Sequence, residues 1–174
     1  MNTANKLTLL RVILIPIFLA VLYWGFSGYN YVAMAIFIIA SLTDFVDGYI
    51  ARSRGQVTDF GKFLDPLADK VLVVAAMLWF LERNIIPAWA VLIVIIREFT
   101  ITALRLIAAA NGRVIAAANL AKLKTATTMV CLIVMFLPIP GWLVTVFIIA
   151  IVVTTVISGI EYIVKNRDIF KMTK

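Results

Sequence analysis

YVAMAIFIIASLTDFVDGYIARSRGQVTDFGKFLDPLADKVLVVAAMLWFLE, residues 31–82, holds two apolar runs whose charged ends adjoin one short polar stretch. The first run is free of charge from Tyr31 to Thr43 and then meets Asp44, Asp47 and Arg52. The second opens with Lys62, Asp65, Asp69 and Lys70 before the uncharged run Val71–Leu81. The runs are continuous rather than alternating, so they read as helices and not as barrel strands. Backbone groups in lipid must bond internally, which a helix achieves alone. The run from Val71 is 11 residues long, well short of the roughly 20 needed to cross hydrocarbon. Its first turns must therefore lie at the interface or face a wet cavity. Both polar ends then share one side of the membrane.

Composition extends this reading to the whole chain. Of 174 residues, 64% are hydrophobic and only 14% charged, against about a quarter charged in an ordinary soluble domain. A soluble fold of this length lacks the interior to hide so much apolar surface, so lipid is the expected solvent. The net charge of +7 fits the bias of cytoplasmic loops and attraction to anionic lipid, rather than nucleic acid. Histidine is absent and Cys131 is the sole cysteine, which excludes imidazole catalysis, an intramolecular disulfide and a zinc cluster.

Turn residues and charges divide the chain into six spans, near 8–24, 30–52, 61–82, 86–109, 120–137 and 142–164. Gly25, Ser27, Gly28 and Asn30 break the charge-free stretch 12–43, and Pro138-Ile139-Pro140-Gly141 breaks the charge-free stretch 125–160. The fold class is all-α, a polytopic membrane protein of six transmembrane helices forming one domain over 1–174. Lys6 and Arg11 ahead of an apolar run resemble a signal peptide, but further spans follow, so this is read as a retained helix. Lys6, Arg11, Arg52, Arg54, Lys62, Arg113, Lys122, Lys124 and the four cations from Lys165 onward fall on one side, and Arg83 is nearly alone on the other. Both termini and the aspartate-rich ends are thus expected to be cytoplasmic, in a multi-pass cell-membrane protein.

Four of the nine acidic residues, Asp44, Asp47, Asp65 and Asp69, occur within 26 positions. Asp44, Asp47, Gly48 and Ala51 are spaced i, i+3, i+4, i+7 and share a helical face; Gly61, Asp65 and Asp69 do so at i, i+4, i+8. Four carboxylates in a confined space take up protons or require a cation. Oxygen-only ligands suit Mg²⁺, Mn²⁺ or Ca²⁺, and a pair of such ions suits a diphosphate. The plainer alternative is a set of interfacial carboxylates paired with Arg52, Arg54, Lys62 and Lys70. Four of them at helical spacing on adjacent spans argue against it.

Read in order, Asp44-x2-Asp47-Gly48-x2-Ala51-Arg52-x8-Gly61-x3-Asp65-x3-Asp69 resembles, at every position, the signature of the CDP-alcohol phosphotransferase family. The resemblance implies a six-helix membrane bundle, usually homodimeric, with its site on the cytoplasmic side. It implies that Asp44, Asp47, Asp65 and Asp69 bind two divalent cations, Mg²⁺ or Mn²⁺, and that Asp69 is also the general base. By the same resemblance Asp47, Gly48, Ala51, Arg52, Gly61 and Asp65 line the cytidine diphosphate pocket. The acceptor hydroxyl would attack the lipid-linked β-phosphorus, and CMP would leave. Asn5 and Thr8, with Arg11, would either touch the nucleotide or merely start the first helix.

The acceptor is argued from elsewhere. Arg97 and Glu98 sit near the middle of the fourth span, where ionised groups are costly and usually functional. Arg105 follows Glu98 by seven positions, and Lys122 and Lys124 open the fifth span. An acceptor carrying its own phosphate calls for such cations, and arginine suits bidentate phosphate binding. Two alternatives stay open: Arg97 as an ion-pair partner of Glu98 with no ligand role, and one lysine snorkelling to headgroups, since positions two apart diverge by about 200°. Arg97-Glu98-Phe99, Arg105-Leu106, Lys122-x-Lys124-Thr125, Asn5-x2-Thr8-x2-Arg11 and the run Phe63–Lys70 are similar to those of family members using sn-glycerol 3-phosphate. The expected substrates are therefore CDP-diacylglycerol and sn-glycerol 3-phosphate, with membrane lipid and no nucleic acid as further surroundings. Rival readings are a sibling acting on inositol phosphate, serine or phosphatidylglycerol, a membrane prenyltransferase, and a divalent cation transporter. Prenyltransferases lack the Gly48-x2-Ala51-Arg52 continuation, and transport sites favour the midplane between repeats.

Overall fold

The computed structural model describes residues 3–53, 59–112 and 119–168, with side chains described at 9–43, 70–112 and 119–168. The described residues are all-helical, without a strand. They form six helices: α1 (Thr3–Trp24), α2 (Tyr29–Ser53), α3 (Asp59–Glu82), α4 (Ala88–Ala110), α5 (Asn119–Met135) and α6 (Gly141–Lys165).

Helix boundaries follow local chemistry. The turn from α1 to α2 uses Gly25 at φ 70° and Gly28 at φ 85°, backbone that costs a side chain about 1–2 kcal/mol. Asn84 takes φ 58° in the turn after α3, as asparagine tolerates better than most residues. Helices α4 and α6 both begin directly after a proline in extended conformation, Pro87 (ψ 146°) and Pro140 (ψ 146°). This moves the start of α4 from the expected 86 to Ala88, because the residue before a proline is disfavoured in helix. Helix α1 starts at Thr3 rather than near residue 8. Nothing in Asn5-Lys6-Leu7 breaks a helix, so the polar lead-in continues the apolar span.

The chain comprises two compact units: residues 1–80 with 132–138, and residues 81–131 with 139–174. In the first, α1 packs along α2, and the core is aromatic. The ring of Phe136 lies 6.0 Å from Phe18, 6.2 Å from Phe37, 6.0 Å from Trp79 and 4.8 Å from Phe80, all within the favourable range for ring pairs. Tyr29, at the start of α2, meets Trp79 near the end of α3, with centroids 6.1 Å apart. In the second unit α4 packs on α6, with Ile101, Leu104, Ala108 and Tyr162 as one buried cluster.

Large apolar side chains face outward along the helices. On α1 they include Leu9, Leu10, Ile13 and Ile17; on α6 they include Val146, Ile149, Val153, Ile157, Ile160 and Val164. Water would charge about 25 cal/mol for each Å² of such surface, so the surroundings that suit these helices are apolar. Among the described residues α6 is long and apolar enough to cross a bilayer, and Leu9–Trp24 and Tyr29–Thr43 are shorter apolar stretches. Helix hydroxyls also behave as they do out of water. Thr43, Thr102, Thr125, Thr145 and Thr154 each donate to the carbonyl four residues earlier, satisfying the polar group within its own helix.

Candidate active site

The aspartate motif lies on two helices of the first unit. Asp44, Asp47, Gly48, Ala51 and Arg52 belong to the last turns of α2, and Gly61, Asp65 and Asp69 to the first half of α3. The Tyr29–Trp79 contact joins the far ends of these helices, and five residues separate their near ends, so they run antiparallel. At 1.5 Å per residue, Asp47 stands about 9 Å before the end of α2 and Asp65 about 9 Å after the start of α3. Asp44 and Asp69 stand about 14 and 15 Å from those ends. Along their helices, Asp47 and Asp65 thus lie equally far from the α2–α3 connection, and Asp44 and Asp69 nearly so. The side chains of Asn5, Thr8, Asp44, Asp47, Gly48, Ala51, Arg52, Gly61, Asp65 and Asp69 lie outside the described residues. Arg11 is inside α1 and fully buried, so it is a core cation and not the loop cation that the orientation count assumed.

The second unit holds the other charged positions. Arg97 Nη1 donates to Glu98 Oε1 at 2.9 Å, and Lys124 Nζ donates to the same oxygen at 2.7 Å. The side chains are 10%, 16% and 5% exposed for Arg97, Glu98 and Lys124. This is a buried charge triad, with one carboxylate oxygen serving two cations. Arg97 Nη2 also donates to Ser158 Oγ on α6, while Arg97 Nε is buried without a partner among the described residues. A Cβ on Gly159 would stand 3.3 Å from Arg97 Cγ. The bare glycine therefore allows the arginine stem to lie against α6, where the guanidinium reaches Ser158.

Of the two candidate lysines, Lys124 turns inward to Glu98 and Lys122 is exposed, the divergence that their spacing requires. Arg105 is exposed as well. Its Nε donates to Tyr162 Oη at 3.2 Å, and its Cζ lies 5.6 Å from the centre of the Tyr162 ring. The α4–α6 rungs pair Arg97 with Ser158 and Arg105 with Tyr162 in rising order on both helices, so α4 and α6 run in the same direction. Sequence reasoning missed Ser158, Gly159 and Tyr162. The available signal was a run of small and hydroxylated residues, Thr154, Thr155, Ser158 and Gly159, inside an apolar helix, the usual mark of a close helix contact in lipid.

A helical chain with this eight-position aspartate motif on an antiparallel helix pair points to one class, and comparison with known proteins agrees with it. The family model described as CDP-alcohol phosphatidyltransferase matches residues 1–157, and the chain belongs to that family. It is similar to a CDP-diacylglycerol–glycerol-3-phosphate 3-phosphatidyltransferase of Bacillus subtilis, at 43% identity covering 98% of this chain and 97% of the relative. A probable phosphatidylglycerophosphate synthase of Mycobacterium tuberculosis is 39% identical over 97% of this chain and 83% of its own. A CDP-diacylglycerol–glycerol-3-phosphate 3-phosphatidyltransferase of Wigglesworthia glossinidia brevipalpis is 33% identical, with 98% of each chain covered.

Proposed function

We propose that this protein transfers the phosphatidyl group of CDP-diacylglycerol to sn-glycerol 3-phosphate, giving phosphatidylglycerophosphate and CMP. One observation carries the reading. Relatives named for that reaction match nearly the full length of the chain, and the chain has the complete diphosphate motif on α2 and α3. The acceptor hydroxyl oxygen forms a bond to the lipid-linked phosphorus, and the bond from that phosphorus to the CMP oxygen breaks. Asp69 takes the hydroxyl proton. Arg52 offers charge to the diphosphate, and Gly48, Ala51 and Gly61 admit the nucleotide close to the helix backbone. Asn5 and Thr8 are assigned to the nucleotide side. A set of four carboxylates without nitrogen or sulfur donors fits hard divalent ions. Two Mg²⁺ or Mn²⁺ ions held by Asp44, Asp47, Asp65 and Asp69 would supply charge neutralisation of the diphosphate.

Arg97, Arg105, Lys122 and Lys124 are assigned to the acceptor phosphate. Arg105 and Lys122 are exposed and offer donors directly, while Arg97 and Lys124 are bound to Glu98 and contribute net positive charge. The six helices are read as six crossings of the cell membrane in one domain, with both termini and the aspartates cytoplasmic and the protein a homodimer. The parallel course of α4 and α6 supports alternating crossings.

The decisive experiment is CMP release from CDP-diacylglycerol by purified protein in detergent, with and without glycerol 3-phosphate and with and without chelator. Acceptor-dependent release, lost on chelation and restored by Mg²⁺ or Mn²⁺, is expected. Equal release with serine or inositol phosphate in place of glycerol 3-phosphate would overturn the acceptor assignment.

A further inference from the structure

Tyr162 is 1% exposed on α6, with its ring among Ile101, Leu104 and Ala108 of α4. A phenol in such surroundings needs a polar partner for its oxygen. The partner here is the Nε–H of Arg105, at 3.2 Å. That bond has a geometric consequence. A guanidinium is a rigid planar fork, and fixing Nε turns the opposite edge, with both terminal nitrogens, away from the tyrosine. Arg105 is exposed, and those nitrogens have no partner among the described residues. This is the edge that binds a phosphate through two parallel hydrogen bonds. A free arginine side chain must instead give up rotamer entropy to adopt one such pose.

We infer that Tyr162 is a positioning residue for the acceptor: its hydroxyl and ring hold Arg105 with its bidentate edge presented to the phosphate of glycerol 3-phosphate. The inference rests on the assignment of Arg105 to the acceptor phosphate. Tyr162 lies beyond residues 1–157, the range that the family model matches, and acts through Arg105 rather than on substrate. The opposing view is that the Arg105–Tyr162 contact merely tethers α4 to α6.

Kinetics of the full-length enzyme in detergent separate the two. Tyr162→Phe keeps the ring and removes only the hydroxyl. It should raise KM for glycerol 3-phosphate about 10-fold, the size of one hydrogen bond to a charged group, with KM for CDP-diacylglycerol within about twofold. In an Arg105→Ala background, Tyr162→Phe should have no further effect on KM. A purely structural tether would lower the melting temperature and leave KM for glycerol 3-phosphate unchanged, which would overturn the inference. It would also be overturned if the two substitutions multiplied, since Tyr162 would then act by another route. An Arg105→Ala enzyme with normal acceptor KM would remove the acceptor assignment itself, and the inference with it. Arg105→Ala impaired but Tyr162→Phe normal would remove the inference alone. Should Tyr162→Phe fold poorly, Tyr162→Trp, which restores a ring and a polar hydrogen without an acceptor oxygen, should show the same KM change.

Discussion

Glu98→Gln tests the energetics of the second unit most directly. The substitution preserves size and a carbonyl oxygen for Lys124 Nζ, and removes the charge. Lys124 is 5% exposed and Arg97 10%, so two cations would be left in a poorly solvated place beside a neutral amide. Removing one member of a buried ion pair costs about 3–5 kcal/mol. The lower end, about 3 kcal/mol, applies here because the amide still accepts a hydrogen bond and Glu98 is 16% exposed. For a chain of this size that corresponds to a melting temperature about 6–12 °C lower, readable by tryptophan fluorescence in detergent. Lys165→Gln is the internal control. Lys165 bridges Glu161, but its side chain is 63% exposed, so its loss should cost less than about 1 kcal/mol. Adding Lys124→Met to Glu98→Gln should recover at least half of the lost stability, because the stranded ammonium is gone. A drop of less than about 2 °C for Glu98→Gln, or an equal drop for Lys165→Gln, would refute the argument from burial.

Phe136→Ala removes the ring that touches four others in the first unit, and should destabilise by about 3–5 kcal/mol in the same melting assay. Gly159→Leu drives a side chain into the space of the Arg97 stem, 3.3 Å from the glycine's virtual Cβ. It should cost about 1–3 kcal/mol, with Gly159→Ala much milder because the arginine stem can give by a few tenths of an ångström. Asp69→Asn should abolish CMP release while leaving the melting temperature within a few degrees, measured in parallel on one preparation. Arg105→Ala should raise KM for glycerol 3-phosphate at least about 10-fold with little change for CDP-diacylglycerol.

Most of the helical plan was legible because the punctuation was chemical. Charges, glycines and prolines mark five of the six helix starts to within about two residues of α2–α6 as observed. The exception, α1, has a polar first turn that hydropathy cannot separate from a loop. Both halves of the aspartate motif fall inside unbroken helices, as their helical spacing predicts. Which lysine turns inward was not legible. The choice between Lys122 and Lys124 depends on Glu98, far along the chain, and helical phase says only that the two diverge. Arg97 and Glu98 are adjacent and so point about 100° apart on a helix. Their pairing could be suspected, but the sharing of one oxygen with Lys124 depends on the packing of α5. Ser158 and Tyr162 stayed hidden because residues with no formal charge, in a stretch read only as an apolar span, gave no reason to look for partners.

Helix α6 has 25 residues and is about 37 Å long, while bilayer hydrocarbon is about 30 Å thick. Measured from Gly141, hydrocarbon is traversed by about Ile160. The last turn and a half is then more than a crossing needs. Tyr162 and Lys165 are in that surplus, so the proposed hold of Tyr162 on Arg105 would act beyond the hydrocarbon rather than within it. Extra helix length would thereby serve as a depth gauge for the arginine that the proposal assigns to the soluble reactant.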